Sequence, residues 1–237
     1  MIYVVGHRGA AGVFPENTLM GFRYAIELGV DYVECDVHLT RDGHLVVMHD
    51  ATVDRTTNGS GRIDELDFAT IRVLDAGKGE IVPTLDEVLT TVQGKVRLLC
   101  ELKGAGVEDA AVDAVLARGM GSEVIFTSFH LERLQAVKRH GEHLRIGAIF
   151  SDPTDDDIAR AASLGVTGIG VHYKSLNLRT VERVLSEGID LRAWNPDTLR
   201  EQLAMIALGV SGVSTNRPDI LLKHLAESGK REAPATL

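Results

Sequence analysis

Cysteine is nearly absent from this chain: only Cys35 and Cys100 occur in 237 residues. Two thiols cannot build a disulfide framework, and free cysteine is most often a small core hydrophobe. Both are expected to be reduced and buried, which together with the missing leader points to the cytoplasm, where structural disulfides are rare. No uninterrupted apolar stretch approaches the roughly 20 residues of a membrane helix. No signal peptide is visible; the first apolar run ends at once in His7 and Arg8. Stable membrane insertion is therefore not expected. Positive charge is also scarce. Lysine and arginine total 25 against 34 acidic residues, a formal net charge of −9, which argues against nucleic acid as a partner. An anionic ligand would need local positive charge, and Arg8, Lys103 or a bound cation could supply it. No His-Glu-x-x-His zinc motif occurs either, so His130, His140 and His143 read as surface residues.

What the chain has is alternation. After an opening strand ending at His7, strands are expected at Tyr32–Val37, Leu98–Leu102, Val124–Thr127, Leu144–Ile149, Gly168–Val171, Leu191–Trp194 and Gly212–Thr215. Helices are expected between them, beginning with Asn17–Leu28, and glycines stand near many helix ends. Thr84 with Glu87 reads as a capping box. Leu45–Met48 follows its predecessor too closely for a parallel crossover, so it should return antiparallel as a hairpin. Eight βα units in this length suggest a TIM (β/α)8 barrel with a small insertion after the second strand. The whole chain, 1–237, is read as one barrel domain. The insertion covers about 40–83, with one short helix near Leu66–Leu74, and a polar, frayed tail covers about 228–237. A doubly wound sheet is the weaker alternative, because the first strand is not followed by properly spaced fingerprint glycines.

Charges sit where a strand core has no use for them, since an unpaired buried charge is costly. With a period of two, Glu34 and Asp36 share one face of their strand, Glu101 and Lys103 share one face of the next, and both cysteines point away. Three carboxylates on two strands make an oxygen cage for one hard divalent cation, Mg²⁺ or Ca²⁺. The absence of soft donors on that face argues against zinc or copper. His7, Glu34, Asp36, Glu101 and Lys103 all fall at C-terminal strand ends, the catalytic face of such a barrel. His49 leaves from the same face with the insertion. His38 is read as the start of a turn, and His172 as a candidate pocket wall.

Several motifs run in order along the chain: His7-Arg8-Gly9, Phe14-Pro15-Glu16-Asn17-Thr18, Glu34-Cys35-Asp36-Val37-His38, Val47-Met48-His49-Asp50, Glu101-Leu102-Lys103 and Thr215-Asn216-Arg217-Pro218-Asp219. In them the chain resembles the glycerophosphodiester phosphodiesterase family over nearly its whole length. The resemblance implies an inserted TIM barrel that hydrolyses glycerophosphodiesters to sn-glycerol 3-phosphate and an alcohol with a divalent cation. It implies Glu34, Asp36 and Glu101 as metal ligands, His7 and His49 as the acid–base pair, and Arg8 and Lys103 as phosphate-holding residues. One segment departs. Many members carry Trp-Thr-Val-Asn on the seventh barrel strand, whereas here Trp194 is followed by Asn195-Pro196-Asp197. Trp194 is therefore expected to wall the substrate pocket, with the alcohol preference left open. A lysophospholipase D-type enzyme is the competing reading, and it would need an apolar pocket mouth that the polar insertion does not offer. A non-catalytic phosphate- or metal-binding barrel is the reading from another class, against which both histidines are present. A sugar-phosphate isomerase barrel would want a glycine-rich site on the last strands. The oligomeric state stays open.

Overall fold

In a computed structural model that describes residues 2–231, nine strands form one sheet. They are β1 (Tyr3–Gly6), β2 (Tyr32–Leu39), β3 (Leu45–Val47), β4 (Arg97–Leu102), β5 (Val124–Ser128), β6 (Arg145–Phe150), β7 (Gly168–His172), β8 (Asp190–Trp194) and β9 (Gly212–Thr215). Eight of them run parallel. Pairing of β1 with both β9 and β2 closes the barrel. The exception is β3, which returns antiparallel on the far end of β2, pairing Val37–Leu39 with Leu45–Val47.

The helices are α1 (Leu19–Glu27), α2 (Phe68–Ile71), α3 (Leu85–Val92), α4 (Glu108–Ala117), α5 (Leu131–His140), α6 (Asp155–Ser163), α7 (Leu178–Ser186), α8 (Leu199–Leu208) and α9 (Pro218–Glu227). Their starts follow capping chemistry. Thr84–Glu87, Thr154–Asp157 and Thr198–Glu201 each form a reciprocal capping box, satisfying backbone donors at the first turn.

Outward strand residues and inward helix faces make the main core. Cys35 and Cys100 lie there as free, fully buried thiols, directly opposite each other in the β2–β4 register. The barrel interior holds a separate small cluster of Val5, Tyr32, Leu99 and Ile125, with Tyr3 beside it. Tyr3 fits only because its register partner is Gly212, where a Cβ would come within 2.1 Å of the ring. A third cluster, Val46, Met48, Val53, Ile63, Ile71, Ala76 and Val82, supports the insertion.

The structure corrects several boundaries. The helix expected from Asn17 starts at Leu19, because Asn17 is left-handed (φ 56°) and Thr18 is the N-cap. The insertion's helix shortens to α2, preceded by a 3-10 turn at Ile63–Glu65. His38 does not start a turn: β2 continues to Leu39, held by its pairing with β3. The tail expected over 228–237 lies, from residue 232 on, outside the described residues. Before that point Arg231 pairs with Asp31 at 2.7 Å. Among the described residues, no helix is long and apolar enough to cross a membrane.

Candidate active site

Glu34 and Asp36 on β2 and Glu101 on β4 point into the barrel mouth, as period-two spacing requires. All three are buried, and one oxygen from each lies within 4.8 Å of the others. Oxygens that share one ion at about 2.0–2.6 Å sit about this far apart. Glu34 Oε1 and Asp36 Oδ1 have no hydrogen-bond partner, and Glu101 Oε1 has only the Lys103 ammonium at 3.2 Å. Buried, unpartnered carboxylate oxygens are rare in folded proteins and call for an explanation such as an ion. Burial raises the pKa of all three. For Asp36 the charge of Glu34 adds to it, and for Glu101 the charge of Asp36 does. A hard divalent cation fits this donor set.

The second oxygens of Glu34 and Asp36 are taken. Glu34 Oε2 accepts the Arg8 backbone N–H at 2.9 Å. Asp36 Oδ2 accepts Asn17 Nδ2 at 2.9 Å and lies 3.3 Å from Arg8 Nε. Arg8 also donates to Glu16 at 2.8 Å. Both Arg8 and Asn17 have positive φ (50° and 56°). Non-glycine residues seldom adopt that conformation, and it clusters at functional sites. Gly9 (φ 83°) completes the turn, and a Cβ there would stand 2.7 Å from the Gly21 carbonyl carbon of α1.

His7 stands just past β1. Its Nδ1 lies 2.7 Å from Asn216 Oδ1, while Asn216 Nδ2 donates to Asp197 at 2.7 Å. Asp197 therefore sets the direction of the Asn216 amide, and the amide oxygen takes the His7 Nδ1–H. That leaves the His7 Nε2 lone pair facing the cleft, 3.4 Å from Asn195 Nδ2 and 3.9 Å from Glu34. Burial, aided by the Arg8 charge, lowers the His7 pKa to about 4, so the ring is neutral at pH 7.

His49 approaches from the insertion side. Its Nδ1 lies 2.6 Å from Asp50, which Arg55 grips at 2.7 Å, and Arg55 also holds Glu16 at 2.8 Å. His49 Nε2 lies 3.1 Å from Lys103 Nζ, and its carbonyl lies 3.2 Å from His38 Nε2. Burial lowers the His49 pKa as well. Lys103 sits between His49 and Glu101, 3.2 Å from the latter, so it pairs with a carboxylate and still faces the cleft.

His7, Arg8, Glu34, His49, Glu101, Lys103 and Trp194 all line one cleft. The structure thus gathers the sequence-predicted site residues onto its wall except Asp36 and His172, the latter packing against Trp194 instead of lining the cleft. Asp36 is fully buried behind that wall, with one oxygen in the carboxylate cluster. The Trp194 ring meets Phe129 at 5.8 Å and His172 at 4.8 Å, edge-on in both cases. Phe129, Arg192, Asn195, Asp197 and Asn216 were not assigned roles from the sequence. Arg192 carried a usable signal, a charge inside a strand run. The Asp197–Asn216 contact spans 19 positions between two loops and has no local signature.

The family profile described as "Glycerophosphoryl diester phosphodiesterase family" matches residues 7–220. A glycerophosphodiester phosphodiesterase of Caldanaerobacter subterraneus is 35% identical over 239 residues, covering 95% of this chain and 98% of the relative. Among solved structures, a putative glycerophosphoryl diester phosphodiesterase from Silicibacter pomeroyi superposes with TM-score 0.89 at 25% identity, covering 97% of this chain and 94% of that one. An Oleispira antarctica phosphodiesterase, solved with its product sn-glycerol-3-phosphate, gives TM-score 0.87 at 27% identity over 95% of this chain and 96% of its own. With the barrel and the cleft residues in place, these matches make the chain a member of the glycerophosphoryl diester phosphodiesterase family.

Proposed function

We propose that this protein, a single inserted barrel domain, hydrolyses glycerophosphodiesters to sn-glycerol 3-phosphate and an alcohol. The observation that carries the reading is the cleft itself. It sets a cluster of three carboxylates, two of them with an unpartnered buried oxygen, beside two imidazoles, each with its Nδ1 engaged and its Nε2 turned inward. The Oleispira relative with bound sn-glycerol-3-phosphate supports the substrate class.

Glu34, Asp36 and Glu101 would hold one divalent cation, Mg²⁺ or Ca²⁺. Such an ion supplies charge that stabilises a phosphodiester transition state. Arg8 and Lys103 orient the phosphate by positive charge. One imidazole accepts a proton from the attacking hydroxyl, and the other returns one to the departing alkoxide. Asn216 and Asp50 keep each ring in the tautomer this exchange needs. Trp194 and Phe129 form the apolar wall against which the glycerol or the leaving alcohol lies.

Purified protein incubated with glycerophosphocholine and Mg²⁺ or Ca²⁺ should release sn-glycerol 3-phosphate and choline in equal amounts. Release of choline and lysophosphatidate from lysophosphatidylcholine, with no product from glycerophosphocholine, would replace this reading with the lysophospholipase D one. Two substitutions refine it. Lys103→Met should cost much of the turnover while leaving the metal's half-saturating concentration in place. Trp194→Ala should alter the ranking of glycerophosphodiesters by leaving alcohol. An equal slowing of all substrates, or only a lower melting temperature, would make Trp194 a packing residue.

A further inference from the structure

Among the described residues, Arg192 is the one arginine or lysine lining the catalytic cleft that has no partner. Arg8 has Glu16 at 2.8 Å, and Lys103 has Glu101 at 3.2 Å. Arg192 has no carboxylate in ion-pair range, and its Nε is buried with no hydrogen-bond acceptor. The side chain is 8% exposed. It projects inward from the middle of β8, two residues before Trp194 and so on the same face.

The barrel makes room for it. Gly170 is the register partner of Arg192 on β7, and a Cβ there would stand 2.9 Å from the guanidinium. The side chain borders both the catalytic cleft and a second, much narrower cavity on the other side, which Tyr3, Tyr32 and Arg145 also line. Arg192 thus forms part of the partition between the two. Its charge is also among those that lower the pKa of His7. Guanidinium cannot discard its proton as a buried lysine can. Leaving such a charge uncompensated in the interior is strongly unfavourable. Its counter-ion therefore has to be a bound anion, and the cleft is the side where Arg8 and Lys103 also stand.

We propose that Arg192 is an anion-binding residue of the cleft, whose guanidinium pairs with the phosphate oxygens of the diester substrate and of the phosphomonoester product. Planar, forked N–H donors suit phosphate oxygens. This names the inner phosphate contact of the site and rests on the phosphodiester reading above.

The test uses the intact protein, metal-loaded and metal-free, with sn-glycerol 3-phosphate and inorganic phosphate as anions and glycerol as the uncharged control. Wild-type melting temperature should rise with either anion and not with glycerol. Arg192→Met should weaken sn-glycerol 3-phosphate binding and raise the diester KM by about 10- to 100-fold, the worth of a charged hydrogen-bonding pair. Its ligand-free melting temperature should stay level or rise, since an uncompensated charge has been removed. Arg192→Lys keeps a charge but not the fork, so it should fold as wild type and lie between the two in affinity. Wild-type anion affinity in either variant overturns the proposal, as does a lower ligand-free melting temperature in Arg192→Met with unchanged affinity. Phosphate binding that depends on Arg192 in a protein without diesterase activity would uphold this assignment and reject the functional reading instead. Normal turnover with an unchanged KM in both variants would do the reverse.

Discussion

Stripping divalent cations should lower diester hydrolysis by roughly a thousandfold or more, on several kcal/mol of transition-state stabilisation at about 1.4 kcal/mol per decade. Mg²⁺ or Ca²⁺ should restore it. The reasoning starts from the carboxylates. Glu34, Asp36 and Glu101 are buried close enough that each raises the cost of ionising another. Their folded-state pKa values lie above the unfolded ones, so without a cation the folded state binds extra protons. Stability of the metal-free protein should then fall as pH rises through those raised values. A cation relieves the repulsion and competes with the protons, so its stabilising effect should grow with pH. At 100 times Kd the linkage amounts to about 2.7 kcal/mol, or a melting shift of roughly 5–10 °C for a chain of this size. Asp36→Asn should abolish that shift while making the metal-free protein more stable at pH 8. Undiminished activity in excess chelator, with a melting temperature blind to Mg²⁺ and Ca²⁺, would dispose of the cage.

His7→Ala and His49→Ala should each reduce kcat by about 10²–10⁴-fold with the fold retained. The two rings differ in how they are held, and the pH profile should show it. Burial and Arg8 disfavour the His7 imidazolium, placing its pKa near 4. If His7 must be neutral, the rate at saturating metal should rise with pH through that region and be flat by pH 6.5, the ordinary histidine value. His7→Ala should remove this limb. Asn216→Ala should weaken it indirectly, because Nδ1–H loses the acceptor that Asp197 orients. A His49→Ala enzyme with near-normal turnover would reduce the insertion to a cover over the site.

The parts of the site that could be read in the chain are those with a local conflict. Glu34, Asp36 and Glu101 interrupt apolar strands, and a two-residue period places them on one face before any tertiary structure is known. His49 could be placed because the link from β2 to β3 is too short for anything but a hairpin. His38 was misread for a related reason. The same hairpin extends β2 past the barrel rim, so the strand outlasts the point where a plain barrel would turn. Asn17 looked helical because nothing local reveals that its side chain is drawn to Asp36. Asp197 and Asn216 meet only when two loops converge. Arg192 shows the same conflict as Glu34, a charge in an apolar run, and its neighbour Gly170 reveals its significance only across the sheet.

The insertion rests on its own small apolar cluster, built from Val46, Met48, Val53, Ile63, Ile71, Ala76 and Val82, apart from the barrel's two. Its ties to the barrel rim include the three-residue ladder of β3 and the bridge from Arg55 to Glu16. The rim could therefore be rebuilt as a cassette. Exchange of residues 56–80 for a different loop, leaving His49, Asp50 and Arg55 in place, would redraw the entrance without touching the proton-transfer groups or the carboxylates. In a laboratory library, new alcohol preferences should map to that cassette and to the Trp194 wall, whereas changes to β2 or β4 should register as loss of turnover for every substrate alike.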